Sequence, residues 1–335
     1  MGYGMKKKVF VIGSNSFSGS NAVSRLLFEG YEVMGVSRSE EPSDIFLPYK
    51  WSPEIFTKFK FRSVDLNLNI EYLKDLLDGF KPNIIVNFAA QGMVAESWIN
   101  PLDWFQTNVM AQIELAQFLK TRSYIERFIQ FTTPEVYGST SGWISENTPF
   151  NPSTPYATSR ASFDFHLKNL HDTFGFPVIF TRAANVYGPG QQIYRIIPRA
   201  MLSCLMDERF PLHGRGSSER AFIYIDDVSE ALCKIISNGI IGDTYHISTD
   251  ETLTIMQLVE IIGEYYNKKV TEFADIVSER QGKDQEYKLS SKKINEELNW
   301  SAHMNLLDGL VHVDKWLQKN LNLIKTLERE YKHKK

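Results

Sequence analysis

The chain has 335 residues, 43% of them hydrophobic and 23% charged, the profile of a globular protein large enough for one big or two fused domains. A net charge of −3 leaves no basic field to draw nucleic acid or an anionic membrane, so any phosphate binding must be local, through placed arginines and backbone amides. No run reaches the length of a membrane span, and MGYGMKKKVF leads into a strand without an apolar leader, so a cytoplasmic protein is expected.

In chain order, KKVFVIG (6–13), YEVMGVS (31–37), FKFRSVDL (59–66), PNIIVNFAA (82–90), ERFIQFTT (126–133) and FPVIFTRAANV (176–186) read as strands. Between them, 19–30, 70–80, 101–121 and 156–175 carry helical spacing. Strict alternation of β and α predicts an α/β fold, a doubly wound parallel sheet with helices on both faces. The strands are almost continuously apolar, as burial on both faces requires. After residue 186 Gly, Pro and Arg accumulate, then a helix-rich tail follows, which predicts a smaller α/β lobe interwoven with the first. The terminal KTLEREYKHKK reads as a frayed, solvated helix end. Cys204 and Cys233 lie in apolar helical runs and read as buried free thiols, and no metal site is expected.

The first strand runs into GSNSFSG, with Gly13, Ser16 and Gly19 spaced three and three at the start of a helix. Such a turn lets backbone amides and a helix N-terminus meet a pyrophosphate, so a Rossmann-type dinucleotide site is predicted, with Phe17 in the same loop. Ser16 stands where a middle glycine is usual; the loop must then sit farther from the phosphates or bond them by its hydroxyl. The second strand ends in Arg38 rather than an acid, which favours a 2′-phosphate and hence NADP over NAD. Asp65 could bond an adenine amino group or start a turn. Leu66 and Ala89, at the ends of the third and fourth strands, complete the expected cofactor set. Residues 1–186 would form this domain, with segments near 221–250 returning to it, and residues 187–335 mainly the substrate lobe.

In FTTPEVYG a carboxylate, Glu135, stands directly behind an apolar strand, where it needs a partner or a task. Tyr156 and Arg160 in YATSR are four apart, on one face of a helix. Together with GSNSFSG, NFAAQ, TTPEVYG, RAANVYGPGQQ, RAFIYIDDV and RQGKD in this order, the chain resembles the extended short-chain dehydrogenase/reductase family over nearly its whole length. The resemblance is nearest to its nucleotide-sugar 4,6-dehydratases, those acting on dTDP-glucose or GDP-mannose. It implies tightly held NAD(P), Tyr156 as the base for the sugar 4-hydroxyl, Thr133 bonded to the same oxygen, and Glu135 as the base that removes the C5 proton. Arg160 stands where the family usually has Lys; both are cations, but they differ in shape and donors. Pro134 stands where many relatives have an Asp acid.

The resemblance also implies that Asn185, Arg195, Arg220 and Arg280 approach the nucleotide diphosphate and that Ser97 contacts the sugar. Met93 replaces a His of many relatives. Helices near 101–121 and 156–175 carry Trp104, Phe105, Ile113, Leu115, Phe163, Phe165 and Leu167, and pairing of these helices into a homodimer is expected. The alternatives are a UDP-glucuronate decarboxylase, opposed by STSGWISENTPF after the Tyr-Gly turn, and a 4-epimerase, which needs no carboxylate at 135. A catalytically silent dinucleotide-binding protein is the remaining one. The nucleotide base and the choice of hexose or heptose stay open.

Overall fold

The computed structural model describes residues 7–52, 54, 59–278 and 286–334. The apolar runs form one seven-stranded sheet: β1 (Lys8–Ile12), β2 (Glu32–Ser37), β3 (Phe59–Ser63), β4 (Ile84–Asn87), β5 (Arg127–Thr132), β6 (Val178–Ala183) and β7 (Thr244–Ile247). Their order across the sheet is β7-β6-β5-β4-β1-β2-β3, and every neighbouring pair is parallel. Alternate side chains of β1 go to opposite cores. Val9 and Val11 pack with Leu26 and Leu232 on one face, while Phe10 and Ile12 pack with Leu73, Leu115 and Leu167 on the other. The strand order reverses between β1 and β4, which opens a crevice at the carboxyl ends of these strands. The candidate site lies there.

The four expected helices are present within a few residues, at Phe17–Phe28, Ile70–Phe80, 101–119 and Pro155–Phe174. The third differs in kind. It changes from α-helix (Pro101–Phe105) to a π-turn (Gln106–Met110) and back (Ala111–Leu119). The π-turn carries the buried Asn108, whose Oδ1 accepts from the Gln91 amide at 2.7 Å and whose Nδ2 donates to Ser159 Oγ at 2.9 Å. One amide side chain thereby joins the loop after β4 to the helix that bears Tyr156.

The expected strand 176–186 is two strands. Beyond β6 the chain leaves the sheet, and Asn185–Tyr187 pairs parallel with Phe222–Tyr224. That step leads into the second half, where Phe210–His213 pairs with Ala274–Val277 and Glu219–Arg220 with Leu253–Thr254. β7 then returns from residue 244 to the edge of the main sheet. Among the described residues no helix is long and apolar enough to cross a membrane.

Candidate active site

A cavity of about 760 Å³ follows the crevice and continues between the sheet and the second half. Ser16, Phe17, Arg38, Thr133, Glu135, Tyr156, Arg160, Asn185, Arg195 and Arg220 all line it. A smaller adjoining cavity of about 160 Å³ is lined by Gly13, Ser16, Arg38, Asp65, Leu66 and Ala89. Residues far apart in sequence are thus brought together along one path.

The glycine loop is built for close approach. Gly13 has φ +84°, and a Cβ there would lie 2.9 Å from the Ala89 nitrogen. Ser16 caps the following helix: its hydroxyl accepts from the Gly19 amide at 3.0 Å and donates to the Gly13 carbonyl at 2.7 Å. The hydroxyl therefore holds the loop itself. Asp65 accepts from the Asn67 amide at 2.8 Å, so it starts a turn while also lining the smaller cavity.

Thr133 is the N-cap of a 3₁₀ turn, Pro134–Tyr137, and its hydroxyl accepts from the Glu135 amide at 3.3 Å. Proline suits the first position of that turn because its φ is preset and it needs no amide partner. Tyr156 lies in the first turn of the Pro155–Phe174 helix, capped by Thr154, whose Oγ1 accepts from the Ala157 amide at 3.1 Å. Burial pushes the Tyr156 phenol up; the Arg160 charge, a hydrogen bond with Thr133 and the Arg195 charge pull it down, while the Glu135 carboxylate pushes it up. Arg160, Thr133, Arg195 and Glu135 thus all act on the Tyr156 phenol.

Arg160 is only 3% exposed. Its guanidinium donates to the Phe131 carbonyl, in β5, and to the Ala89 carbonyl, just past β4, the latter at 3.4 Å. Its Nε is buried and has no acceptor among the described residues. A planar fork can hold two main-chain carbonyls at adjacent strand ends in this way; the compact ammonium of a lysine would approach them as a point charge without the fixed plane.

In the second half, Arg220 lies over the Tyr287 ring at 4.5 Å and donates to the Glu219 carbonyl at 2.7 Å. Arg195 lies 5.5 Å over the Tyr194 ring. Ser97 is fully buried and donates its hydroxyl to the Val94 carbonyl at 2.6 Å; its neighbours Val94 to Glu96 form the cavity wall instead. Met93 lines the cavity with φ +70°, an uncommon backbone conformation for a side chain of that size. Arg280 falls outside the described residues.

The expectation of a solvated helix end at the C-terminus is corrected. The last long helix stops at Ile324, and the described residues after it are not helical and turn back onto the body of the protein. Tyr331 lines the cavity and packs edge-on against Tyr194, and Arg199 reaches Glu330 at 3.6 Å. On the other side, His333 stacks on Trp104 and meets Asp103 at 2.8 Å, while Arg38 and Gln91 both donate to the Lys334 carbonyl, at 2.9 and 2.6 Å. Aromatic residues among lysines in YKHKK were the available signal.

Sequence reasoning also missed a polar chain behind Glu135. Arg182, buried within β6, donates to Asp164 at 3.0 Å and to the Tyr137 hydroxyl at 3.2 Å. Tyr137 in turn meets His246 Nε2 at 2.7 Å. An arginine inside an apolar strand was its visible trace.

Comparison with known proteins agrees with this geometry. The family model described as GDP-mannose 4,6 dehydratase matches residues 10–312. A mouse dTDP-D-glucose 4,6-dehydratase is 28% identical over 330 residues, covering 96% of this chain and 92% of its own. The structure of a dTDP-glucose 4,6-dehydratase from Streptomyces venezuelae, with NAD bound, superposes with a TM-score of 0.86 at 29% identity, covering 94% of this chain and 98% of that one. A UDP-glucuronic acid 4-epimerase from Bacillus cereus, in complex with UDP-glucuronic acid and NAD, has a TM-score of 0.84 at 25% identity and covers 93% and 99%.

Proposed function

The chain belongs to the GDP-mannose 4,6 dehydratase family, and from that premise we propose that it converts a nucleotide-linked hexose or heptose to the 4-keto-6-deoxy sugar. The observation that carries this reading is the convergence of Thr133, Glu135, Tyr156 and Arg160 on one cavity, where Arg160 and Thr133 both favour the ionised Tyr156 phenol against its burial. The Gly13 approach, the helix N-terminus after Ser16 and the buried Arg160 Nε fit a dinucleotide. NAD(P) held by these residues would supply hydride acceptance from C4 and hydride donation to C6.

The residues divide the remaining work. Tyr156 takes the proton of the 4-hydroxyl while Thr133 bonds the same oxygen, which leaves a C4 carbonyl. That carbonyl acidifies the C5 proton. Glu135 removes it, the C5–H electron pair becomes the C5=C6 bond, and the C6–O bond breaks. Pro134 has no proton to give, so Glu135 passes the proton it has gained to the departing hydroxyl, directly or through water, and water leaves. Asn185, Arg195 and Arg220 hold the diphosphate from the second half, which is mainly a substrate lobe. Arg280 is assigned the same role by its motif.

Arg38, at the junction of the two cavities, supports NADP over NAD. The protein is read as a cytoplasmic homodimer. Trp104, Leu115, Phe163 and Leu167 are buried within the chain, but Leu102, Met110 and Phe165 on the same two helices are 80%, 60% and 57% exposed. The carboxylate at 135 separates this reading from the 4-epimerase one.

The test is Glu135→Gln. With the nucleotide sugar that the wild type dehydrates, the variant should bind substrate yet lose C5 hydrogen exchange in deuterated water. Dehydration at the wild-type rate would defeat the assignment.

A further inference from the structure

Glu135 sits on a turn of four residues, too short to hold a side chain in place by itself. Its Tyr137 is almost wholly buried, with the ring packed edge-on to Phe150 and to His246. The order of donors along the chain behind it is fixed. Arg182 has only donors, so the Tyr137 oxygen accepts from it at 3.2 Å and must point its own hydrogen elsewhere. The remaining partner is His246 Nε2, at 2.7 Å. His246 is therefore assigned as the acceptor, which puts its proton on Nδ1; that nitrogen is buried 4.0 Å from Glu146 and has no hydrogen-bond partner among the described residues. The Glu146 carboxylate also accepts from the His246 amide at 3.0 Å, which ties the loop after the 3₁₀ turn to β7.

The other end of the chain reaches the second catalytic element. Asp164, bound to Arg182, lies on the Pro155–Phe174 helix one turn beyond Arg160. One buried series, Asp164, Arg182, Tyr137 and His246, therefore joins the helix of Tyr156 and Arg160, two strands of the sheet and the turn of Glu135. None of these four lines either cavity.

We infer that Tyr137 and His246 are positioning residues: the hydrogen bond between them sets where the Glu135 carboxylate stands relative to C5 of the sugar held by Tyr156. This assignment rests on the function proposed above. A misplacement of about 1 Å in a reacting group can cost on the order of a hundredfold in rate. Loss of this bond should therefore slow elimination and leave oxidation at C4, which belongs to Tyr156 and Thr133, largely intact.

The experiment compares wild type, Tyr137→Phe, His246→Leu and His246→Gln with the nucleotide sugar that the wild type dehydrates. Tyr137→Phe keeps the ring and removes only the hydroxyl. It should lower kcat and the rate of C5 exchange by about tenfold or more, at unchanged KM. The absorbance of reduced nicotinamide should then rise on mixing and decay slowly, because oxidation outruns elimination. His246→Leu should behave likewise, and His246→Gln, which returns an amide acceptor within reach of Nε2, should restore exchange. A merely structural role would lower stability and leave the balance of oxidation to elimination untouched; that result, or wild-type exchange in Tyr137→Phe, overturns the inference. If His246→Leu does not fold, Tyr137→Phe and His246→Gln still decide it. A wild type that exchanges the C5 hydrogen of none of the GDP-, dTDP-, UDP- or CDP-linked sugars defeats the functional reading instead.

Discussion

His246 shows how much one buried group can govern at the residue scale. Burial, with the Arg182 charge next, holds its imidazole down to about 3. The folded chain thus keeps it neutral at pH 5, whereas the unfolded chain protonates it below about pH 6.5. The unfolded state then binds more protons, so stability falls as pH drops through this window. Between neutrality and about pH 5 the loss from this one group is about 2 kcal/mol. Urea unfolding at both pH values should show that loss in the wild type and not in His246→Gln; equal pH dependence in the two would refute it. Arg38 offers a second residue-scale test. Charge-assisted bonds to one phosphate contribute roughly 1.5–3 kcal/mol, so Arg38→Asp should shift cofactor preference from NADP toward NAD by about tenfold or more. Cofactor released from the denatured wild type and identified by mass spectrometry settles the starting point, and NAD alone would reject the role.

Among elements, the short Pro134–Tyr137 turn is held at both ends by backbone geometry. Gly138 closes it with φ +68° and ψ −160°, a region open essentially to glycine, and a Cβ there would lie 2.2 Å from the Asn151 carbonyl oxygen. Gly138→Ala should destabilise by about 1–3 kcal/mol from the backbone conformation alone, read as a lower urea midpoint at unchanged slope, and should slow C5 exchange. The elements also mark where the sequence was legible. Near-continuous apolar runs located the six expected strands of the sheet, because burial on both faces leaves little else that five of them could be, while the edge strand Phe59–Ser63 is only half-buried. The π-turn at Gln106–Met110 had no such trace: its hydrogen bonds shift by one residue to aim Asn108, and nothing in the spacing of apolar residues records that. The break after Ala183 was hidden for a related reason, since Val186 and Tyr187 continue an apolar run into a different sheet. Thr133, Glu135, Tyr156 and Arg160 could be picked out because a carboxylate behind an apolar strand and a Tyr–Arg pair one helical turn apart stand in motifs that resemble the family's. Asp164, Arg182, Tyr137 and His246 could not, because pairing across the fold, not order along the chain, defines them.

For the whole molecule, the segment after Ile324 changes how a bound cofactor would come and go. It is fastened to the second half through Tyr194 and Arg199 and to the sheet side through Arg38, Gln91 and Trp104. Escape of the dinucleotide would therefore wait on local unfolding of about ten residues rather than on its own contacts, and its residence time becomes a property of that opening equilibrium. A reaction that restores its cofactor at every turnover gains from such slow leakage, because no cycle needs exchange. Removal of the chain beyond Leu327 should leave the sheet and Glu135 in place yet speed cofactor loss, measured by dilution or trapping of released nucleotide. Activity would then come to depend on added NAD(P) where the intact protein needs none. Unchanged retention in the shortened chain would show that the latch is incidental. If instead it governs release, then the enzyme's operating lifetime without free cofactor is written in its last few side chains, the ones farthest in sequence from the loop that first grips the phosphates.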